Sequence, residues 1–323
     1  MAFLAKCLIC LLAAYGLAFY LAVPANPEVR FWQHVVELRD KEIAEVRTQN
    51  PDTPIIFFTG GSSCAFSIDP KIIEQECGLP AFNLGLPVAA GAEYLAHQAM
   101  AKARAGDILV LCLEPDLLAA DDESPPPTRF SFAISSVTDN PLSSAGYDTF
   151  PSKPGISDYL TYSRPGAGHL ATLAAKTMAG KGYRYSISDS RYHGRMETQI
   201  HDASLRPRGT SPYTKLTVRG RKFLETFKGS AHRRKINLYY SMPWHFTAGE
   251  ALEETRKNRL SLIAEIKTII PVIRDGAAGA TSTRQHYSDS QLHLTSDGSS
   301  LRSRNLARAM KECISTTSST NPE

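Results

Sequence analysis

The fold is decided by the stretch Pro54-Ile-Ile-Phe-Phe-Thr-Gly-Gly-Ser-Ser-Cys64. Its apolar run predicts a buried strand at residues 55–58 that leads directly into a glycine-rich turn ending in two serines. Gly60 and Gly61 allow close backbone approach, and ligands of open α/β sheets bind beyond the carboxyl ends of the strands. A serine at this place stands where a nucleophile is needed. The plainer alternative is a tight turn with no chemical role.

Strand and helix patterns alternate on both sides of an irregular middle. Strands are predicted at residues 55–58, 81–84, 108–113, 235–240 and 268–273. Helices are predicted at residues 29–47, 70–77, 92–104, 213–227, 248–267 and 296–313. This order predicts an α/β fold with a doubly wound parallel sheet over residues 54–315. The Pro- and Ser-rich segment at about 114–212 is predicted to be a long insertion that shapes a substrate cleft or docks a partner.

The carboxyl-terminal helix has an amphipathic pattern. Leu301 and Leu306 fall on the predicted buried side, whereas Arg302 and Arg308 fall mostly on the opposite side. Residues 316–323 are predicted to be a disordered tail.

The amino-terminal segment indicates export. Residues 3–23 are apolar apart from Lys6, and the run is long enough to cross a bilayer. Residues 1–26 are therefore predicted to be a single transmembrane anchor, followed by an amphipathic connecting helix within residues 27–53. Lys6 would stay cytoplasmic and place the main domain on the extracytoplasmic side, periplasmic or extracellular. A cleaved signal peptide is the alternative, and it exports the domain equally.

Composition narrows the function classes. The hydrophobic content of 42% supports a large core and excludes global disorder. The net charge of +4 is scattered along the chain, which argues against nucleic acid as a partner. Cys7 and Cys10 lie in the apolar amino-terminal segment and Cys112 lies in an apolar strand, whereas Cys64, Cys77 and Cys313 lack metal-ligand spacing. We therefore expect no metal and no cofactor.

A second group of reactive residues lies near the carboxyl terminus, in Tyr287-Ser-Asp-Ser-Gln-Leu-His-Leu-Thr-Ser-Asp-Gly298. The turn after the first strand and the loop before the last helix can meet at one edge of such a sheet. His293 would then act as the base for a serine, and Asp289 would hold its tautomer. Backbone N–H groups of Ser63 and Gly85 would stabilise the oxyanion. The chemistry alone does not choose between Ser62 and Ser63 as the nucleophile.

Three blocks resemble the SGNH/GDSL hydrolase superfamily, and most closely its membrane-anchored, DltD-like group. They are Gly61-Ser-Ser63, Asn83-Leu-Gly-Leu86, and the segment from Asp289 to Gly298. The resemblance implies a flavodoxin-like sheet with Ser63 as nucleophile, Gly85 as oxyanion donor, and His293 with Asp289 as the other catalytic residues. Three departures stand out. The family's Gly-Asp-Ser is Gly61-Ser-Ser63 here, a variation that the DltD-like group shares. Glu114-Pro-Asp116 occupies the place of the third-block asparagine, and three residues rather than two separate Asp289 from His293.

The resulting hypothesis is an exported, membrane-anchored serine esterase or O-acyltransferase that forms an acyl-serine intermediate. Its substrate would be an acyl or acetyl ester of a cell-surface polysaccharide, and the resemblance implies a multi-pass membrane acyltransferase as a partner. Glu114 and His245 are candidates for lining the cleft. The alternative is a catalytically inactive glycan-binding or scaffold subunit of such a complex, and a remaining possibility is an exported protein whose glycine–serine turn binds an anion.

Overall fold

The computed structural model describes residues 2–22, 27–120 and 183–318. Most of the predicted insertion and residues 319–323 of the predicted tail lie outside these ranges. The predicted tail begins inside the last helix, which continues to Ser318.

Helices account for much of the described chain. Their bounds are α1 (Ala2–Ala22), α2 (Pro27–Gln49), α3 (Ser62–Ala65), α4 (Pro70–Cys77), α5 (Ala92–Lys102), α6 (Pro115–Ala119), α7 (Val218–Arg233), α8 (Leu252–Lys267) and α9 (Ser296–Ser318). The strands are β1 (Ile56–Gly60), β2 (Ala81–Asn83), β3 (Ile108–Cys112), β4 (Asn237–Tyr240), β5 (His245–Phe246) and β6 (Ala280–Thr281).

The main sheet is parallel, with the strand order β2-β1-β3-β4. Asn83 pairs with Phe58, and Cys112 pairs with Gly60 at the end of β1. The chain moves from β1 to β2 and then returns past β1 to β3. The carboxyl end of β1 is therefore the topological switch point, where open α/β sheets bind ligands. The predicted α/β fold with a parallel sheet is confirmed at this level.

Alternate residues of β1 enter two separate cores because successive side chains of a strand point to opposite faces. Phe57 packs with residues of α2, α5, α7 and α8 on one face. Ile56 and Phe58 pack on the other face with residues of α4 and α9. Helices thus cover both faces, which explains the unbroken apolar sequence of β3.

Helix α2 is part of this core. Phe31, Trp32 and Val35 are buried in the same cluster as Phe57. Arg39 is also buried, and its guanidinium donates to the carbonyl oxygens of Gly85 and Gly194, each at 2.9 Å. The helix that we expected to connect an anchor to the domain therefore covers one face of the sheet.

Two local predictions were wrong. Residues 268–273 do not form a strand: the Ile270 N–H donates to the Ile266 carbonyl at 3.0 Å and extends the end of α8. Backbone pairing with the sheet is limited there to an isolated bridge between Tyr240 and Val272. On α9 the prediction fails at two positions, since Leu301 is 36% exposed and Arg302 is 0% exposed, whereas Leu306 is buried and Arg308 is exposed as predicted.

The transmembrane anchor predicted within residues 1–26 is not supported, because no helix in the described part of the chain is long and apolar enough to cross a membrane.

Candidate active site

The glycine–serine turn lies at the switch point of the sheet. After β1 the chain enters α3, a single helical turn in which the Phe66 N–H donates to the Ser62 carbonyl at 3.0 Å. Ser62 is half-buried, whereas Ser63 is 1% exposed. The two serines therefore have different surroundings.

The side chain of Asn83 fastens this turn to β2. Its amide nitrogen donates to the carbonyl oxygens of Cys64 at 2.9 Å, Ala65 at 3.2 Å and Ile68 at 3.0 Å. Its amide oxygen accepts the Gly85 N–H at 3.0 Å. A Cβ atom at Gly85 would collide with the Ala65 backbone, so glycine is required for this approach. The second sequence block thus fixes the position of the serine turn.

Glu114, at the end of β3, closes the turn from the other side. Its Oε1 accepts the Ser63 hydroxyl at 2.6 Å and the Ser63 N–H at 3.2 Å, while Oε2 accepts the Gly61 N–H at 3.1 Å. A Cβ atom at Gly61 would collide with the carboxylate. Burial raises the pKa of Glu114 to about 7, although the hydrogen bond from Ser63 opposes that shift. The buried carboxylate therefore fixes the turn through three hydrogen bonds.

Asp289 and His293 meet within the loop that precedes α9. The Nδ1 atom of His293 lies 2.8 Å from Oδ1 of Asp289. The loop is closed by Ser288, whose N–H and hydroxyl donate to the His293 carbonyl at 2.9 Å and 3.1 Å. The loop geometry therefore accommodates the longer spacing between the two residues.

Tyr185 and Arg184 complete the polar contacts of Asp289. The Tyr185 hydroxyl donates to Asp289 Oδ2 at 2.9 Å and lies 3.1 Å from His293 Nδ1. Arg184 forms an ion pair with the same carboxylate at 2.8 Å. Burial opposes ionisation of Asp289, but His293, Tyr185 and Arg184 outweigh it and lower the pKa of Asp289 to about 2. An ionised Asp289 favours a proton on Nδ1, which leaves Nε2 as a proton acceptor.

Phe66 lies between the serine turn and the Asp289–His293 loop. Its ring stacks on the His293 ring, with centroids 4.1 Å apart and an interplanar angle of 21°. The Tyr185 ring packs on Phe66 as well, with a centroid distance of 5.0 Å. The turn after β1 and the loop before α9 are therefore adjacent, as expected from the topology.

His293 is the predicted base for Ser63, but no hydrogen bond joins these two side chains. The Ser63 hydroxyl donates to Glu114, and among the described residues no hydrogen bond occupies Nε2 of His293. Both predicted oxyanion donors are also engaged, the Ser63 N–H by Glu114 and the Gly85 N–H by Asn83.

His245 lies on β5 and is 4% exposed. Neither of its ring nitrogens has a hydrogen-bond partner in the described part of the chain. Burial, with the charges of Arg259 and Arg208, lowers the pKa of His245 to about 3. The imidazole is therefore neutral, and it makes no hydrogen bond to His293.

Tyr185, Arg184 and Phe66 were not predicted as site residues. Tyr185 and Arg184 belong to the segment interpreted as an insertion, and no sequence motif marks them. Phe66 follows the serines by one helical turn, and this spacing was the available signal.

Within residues 2–22, 27–120 and 183–318, no group of three or more His, Cys, Asp or Glu side chains is arranged to hold a metal ion. The absence of a cofactor stays a prediction.

No protein-family model matches the chain, and no curated protein matches it in a sequence search.

Proposed function

We propose that this protein is a serine esterase or O-acyltransferase with an SGNH-type, flavodoxin-like α/β fold. The observation that carries the proposal is the Asp289–His293 pair at 2.8 Å, stacked through Phe66 against a serine turn at the switch point of the sheet. A base held by a carboxylate next to a serine is the arrangement that activates a hydroxyl for acyl transfer.

The division of roles follows from the geometry. Asp289 is ionised and fixes the Nδ1–H tautomer of His293, so Nε2 takes the serine proton. The serine oxygen then bonds to the acyl carbon of an ester and forms an acyl-serine. Water or a sugar hydroxyl removes the acyl group in the second half of the reaction.

The substrate class rests on the resemblance to the DltD-like group. We propose an acyl or acetyl ester of a cell-surface polysaccharide as the substrate, an extracytoplasmic location, and a multi-pass membrane acyltransferase as a partner. Glu114, just after β3, and His245, on β5, are the candidates for lining the substrate cleft.

A second candidate function is a catalytically inactive glycan-binding or scaffold subunit. It is favoured by the engagement of the Ser63 hydroxyl with Glu114 and of the Gly85 N–H with Asn83. An inactive protein would bind an acetylated glycan equally well after the site residues are replaced by alanine.

The test is the hydrolysis of 4-nitrophenyl acetate by the full chain, with circular dichroism to establish folding. We expect turnover that is lost in His293→Ala and in the double variant Ser62→Ala/Ser63→Ala. His232→Ala is the matched control, since His232 is exposed near the end of α7 and its replacement should leave turnover unchanged. Equal turnover in the wild type and in folded His293→Ala would refute the enzyme proposal and favour the binding function.

A further inference from the structure

We infer that Ser62, rather than Ser63, is the nucleophile, and that Ser63 and Glu114 hold the turn that presents it. The inference rests on the proposed function and deepens it, because it assigns the reacting atom. It also revises the residue that the family resemblance implies.

The two serines lie on different sides of the helical turn. Residues three or four apart on a helix are neighbours, so Phe66 is a neighbour of both serines, whereas Ser67 is a neighbour of Ser63 alone. The Ser67 hydroxyl donates to the Ser63 carbonyl and accepts a hydrogen bond from the buried Arg302. Ser63 and Ser67 therefore face β3 and α9 in the protein interior.

The histidine lies against Phe66, at the end of the helical turn. Phe66 ends the turn with helical backbone angles, φ −94° and ψ −1°. A side chain in helical conformation leans toward the amino terminus and covers the preceding turn. The Phe66 ring, and the His293 ring stacked on it at 4.1 Å, are therefore placed next to the turn that carries the two serines.

Ser62 is also free to react. It is half-buried, and neither its hydroxyl nor its N–H has a hydrogen-bond partner within the described residues. The Ser63 hydroxyl, in contrast, is committed to a carboxylate at 2.6 Å in a side chain that is 1% exposed. An acyl donor can approach Ser62 from solvent, and the Ser62 N–H is available to stabilise an oxyanion.

With Ser62 as the nucleophile, the reaction proceeds in two halves. The Ser62 oxygen bonds to the ester carbonyl carbon while its proton passes to Nε2 of His293. The bond from that carbon to the alkoxy oxygen then breaks, and the proton on Nε2 moves to the departing alcohol. In the second half, water or a sugar hydroxyl attacks the acyl carbon and gives its proton to Nε2, which returns it to the Ser62 oxygen as the acyl–serine bond breaks.

The experiment localises a fluorophosphonate adduct on the wild-type full chain by tandem mass spectrometry. Trypsin cleavage after Arg47 and Lys71 releases one peptide that contains both serines. Fragmentation of this peptide between residues 62 and 63 places the two serines on different fragment ions. The masses of these ions then show which serine carries the adduct. We expect the adduct on Ser62. An adduct on Ser63 or Ser67 would overturn this assignment and leave the proposed esterase standing, whereas the absence of any adduct would overturn both.

Single variants provide an independent readout. In Ser62→Ala, we expect ester turnover to fall by at least about a thousandfold, because the attacking oxygen is gone. In Ser63→Ala, the adduct is expected to remain on Ser62. A Ser62→Ala protein that keeps wild-type turnover and a native circular dichroism spectrum would contradict the inference even if the double variant were inactive.

Discussion

At the scale of single residues, the decisive contact is that of Asp289 with one ring nitrogen of His293. Its carboxylate lies 2.8 Å from Nδ1 and also receives the Tyr185 hydroxyl and Arg184. An acid in this place selects the tautomer in which Nε2 accepts a proton and stabilises the imidazolium that then forms.

Replacing Asp289 by asparagine keeps the size of the side chain and removes its charge. We expect kcat for 4-nitrophenyl acetate to fall by about a thousandfold or more, because the neutral amide no longer selects the active tautomer. Asp297→Asn is the matched control, since Asp297 is exposed in the first turn of α9. Similar kcat values for the two variants would show that Asp289 has no part in the chemistry.

We expect Glu114 to make the stability of the protein depend on pH. Its pKa rises from 4.5 to about 7 on folding, because burial disfavours the charged form. The folded state then binds the proton more tightly than the unfolded state. The contribution to stability is fully present below the unfolded value and is lost as the pH rises through the folded value, by up to about 3 kcal/mol.

We expect the free energy of unfolding to decrease between about pH 5 and pH 8 in the wild type, and this decrease to be much smaller in Glu114→Gln. Urea titrations of both proteins across this range measure the difference. The same slope in both proteins would exclude Glu114 as the titrating group.

Sequence reasoning at the residue scale found one part of the site and missed another. Asp289 and His293 are close in the chain, so a single loop brings them together and their pairing can be read from spacing. Tyr185, which contacts both residues, lies 104 positions from Asp289 and 108 positions from His293 in the sequence. It belongs to a segment that carries no motif, so its contact was not predicted. The hydroxyl contact of Ser63 with Glu114 likewise depends on the approach of β3, which spacing does not reveal.

At the scale of elements, β2 positions the serine turn through Asn83. The side chain satisfies three carbonyl oxygens of residues 64–68 and the N–H of Gly85. Removing it leaves several buried polar backbone groups without partners, each of which is costly.

For Asn83→Ala we expect a loss of about 2–4 kcal/mol in the free energy of unfolding, together with a loss of ester turnover as the turn shifts. Asn237→Ala is the matched control, because Asn237 is exposed on β4 and makes a single long contact of 3.3 Å with Gly106. A stability loss in the control as large as that in Asn83→Ala would argue against the role of Asn83 in fastening the turn.

Helices and strands were predicted correctly where the local sequence pattern fits only one type of secondary structure. The apolar runs of β1 and β3 stand between clear breaks, and both form strands. The run at residues 268–273 is equally apolar, yet it follows α8 without a break and its first residues continue the helical hydrogen bonding. A short apolar run of this kind does not distinguish a strand from a helix end.

At the scale of the whole molecule, α2 is joined to the α/β core. Periodicity predicted the helix but not its partner, because an amphipathic pattern does not state which surface it covers. The sequence also does not predict that Arg39 and Arg302 are buried. Each guanidinium donates to carbonyl or hydroxyl groups of residues that are distant in the chain.

Replacing Trp32 by alanine tests whether α2 belongs to the core. Trp32 is 1% exposed and packs against Phe31 with a centroid distance of 5.1 Å. We expect a loss of about 3–5 kcal/mol in unfolding free energy, measured by urea denaturation. A change below about 1 kcal/mol, as is typical of exposed sites, would show that α2 only connects other parts of the chain.

The central claim is that His293, held by Asp289, activates one serine. The most direct measurement is the intact mass of the full chain after fluorophosphonate treatment, for the wild type beside His293→Ala and His232→Ala. We expect one adduct per chain in the wild type and in His232→Ala, and none in folded His293→Ala. Equal labelling of the wild type and His293→Ala, or no labelling of a folded wild-type protein, would contradict it.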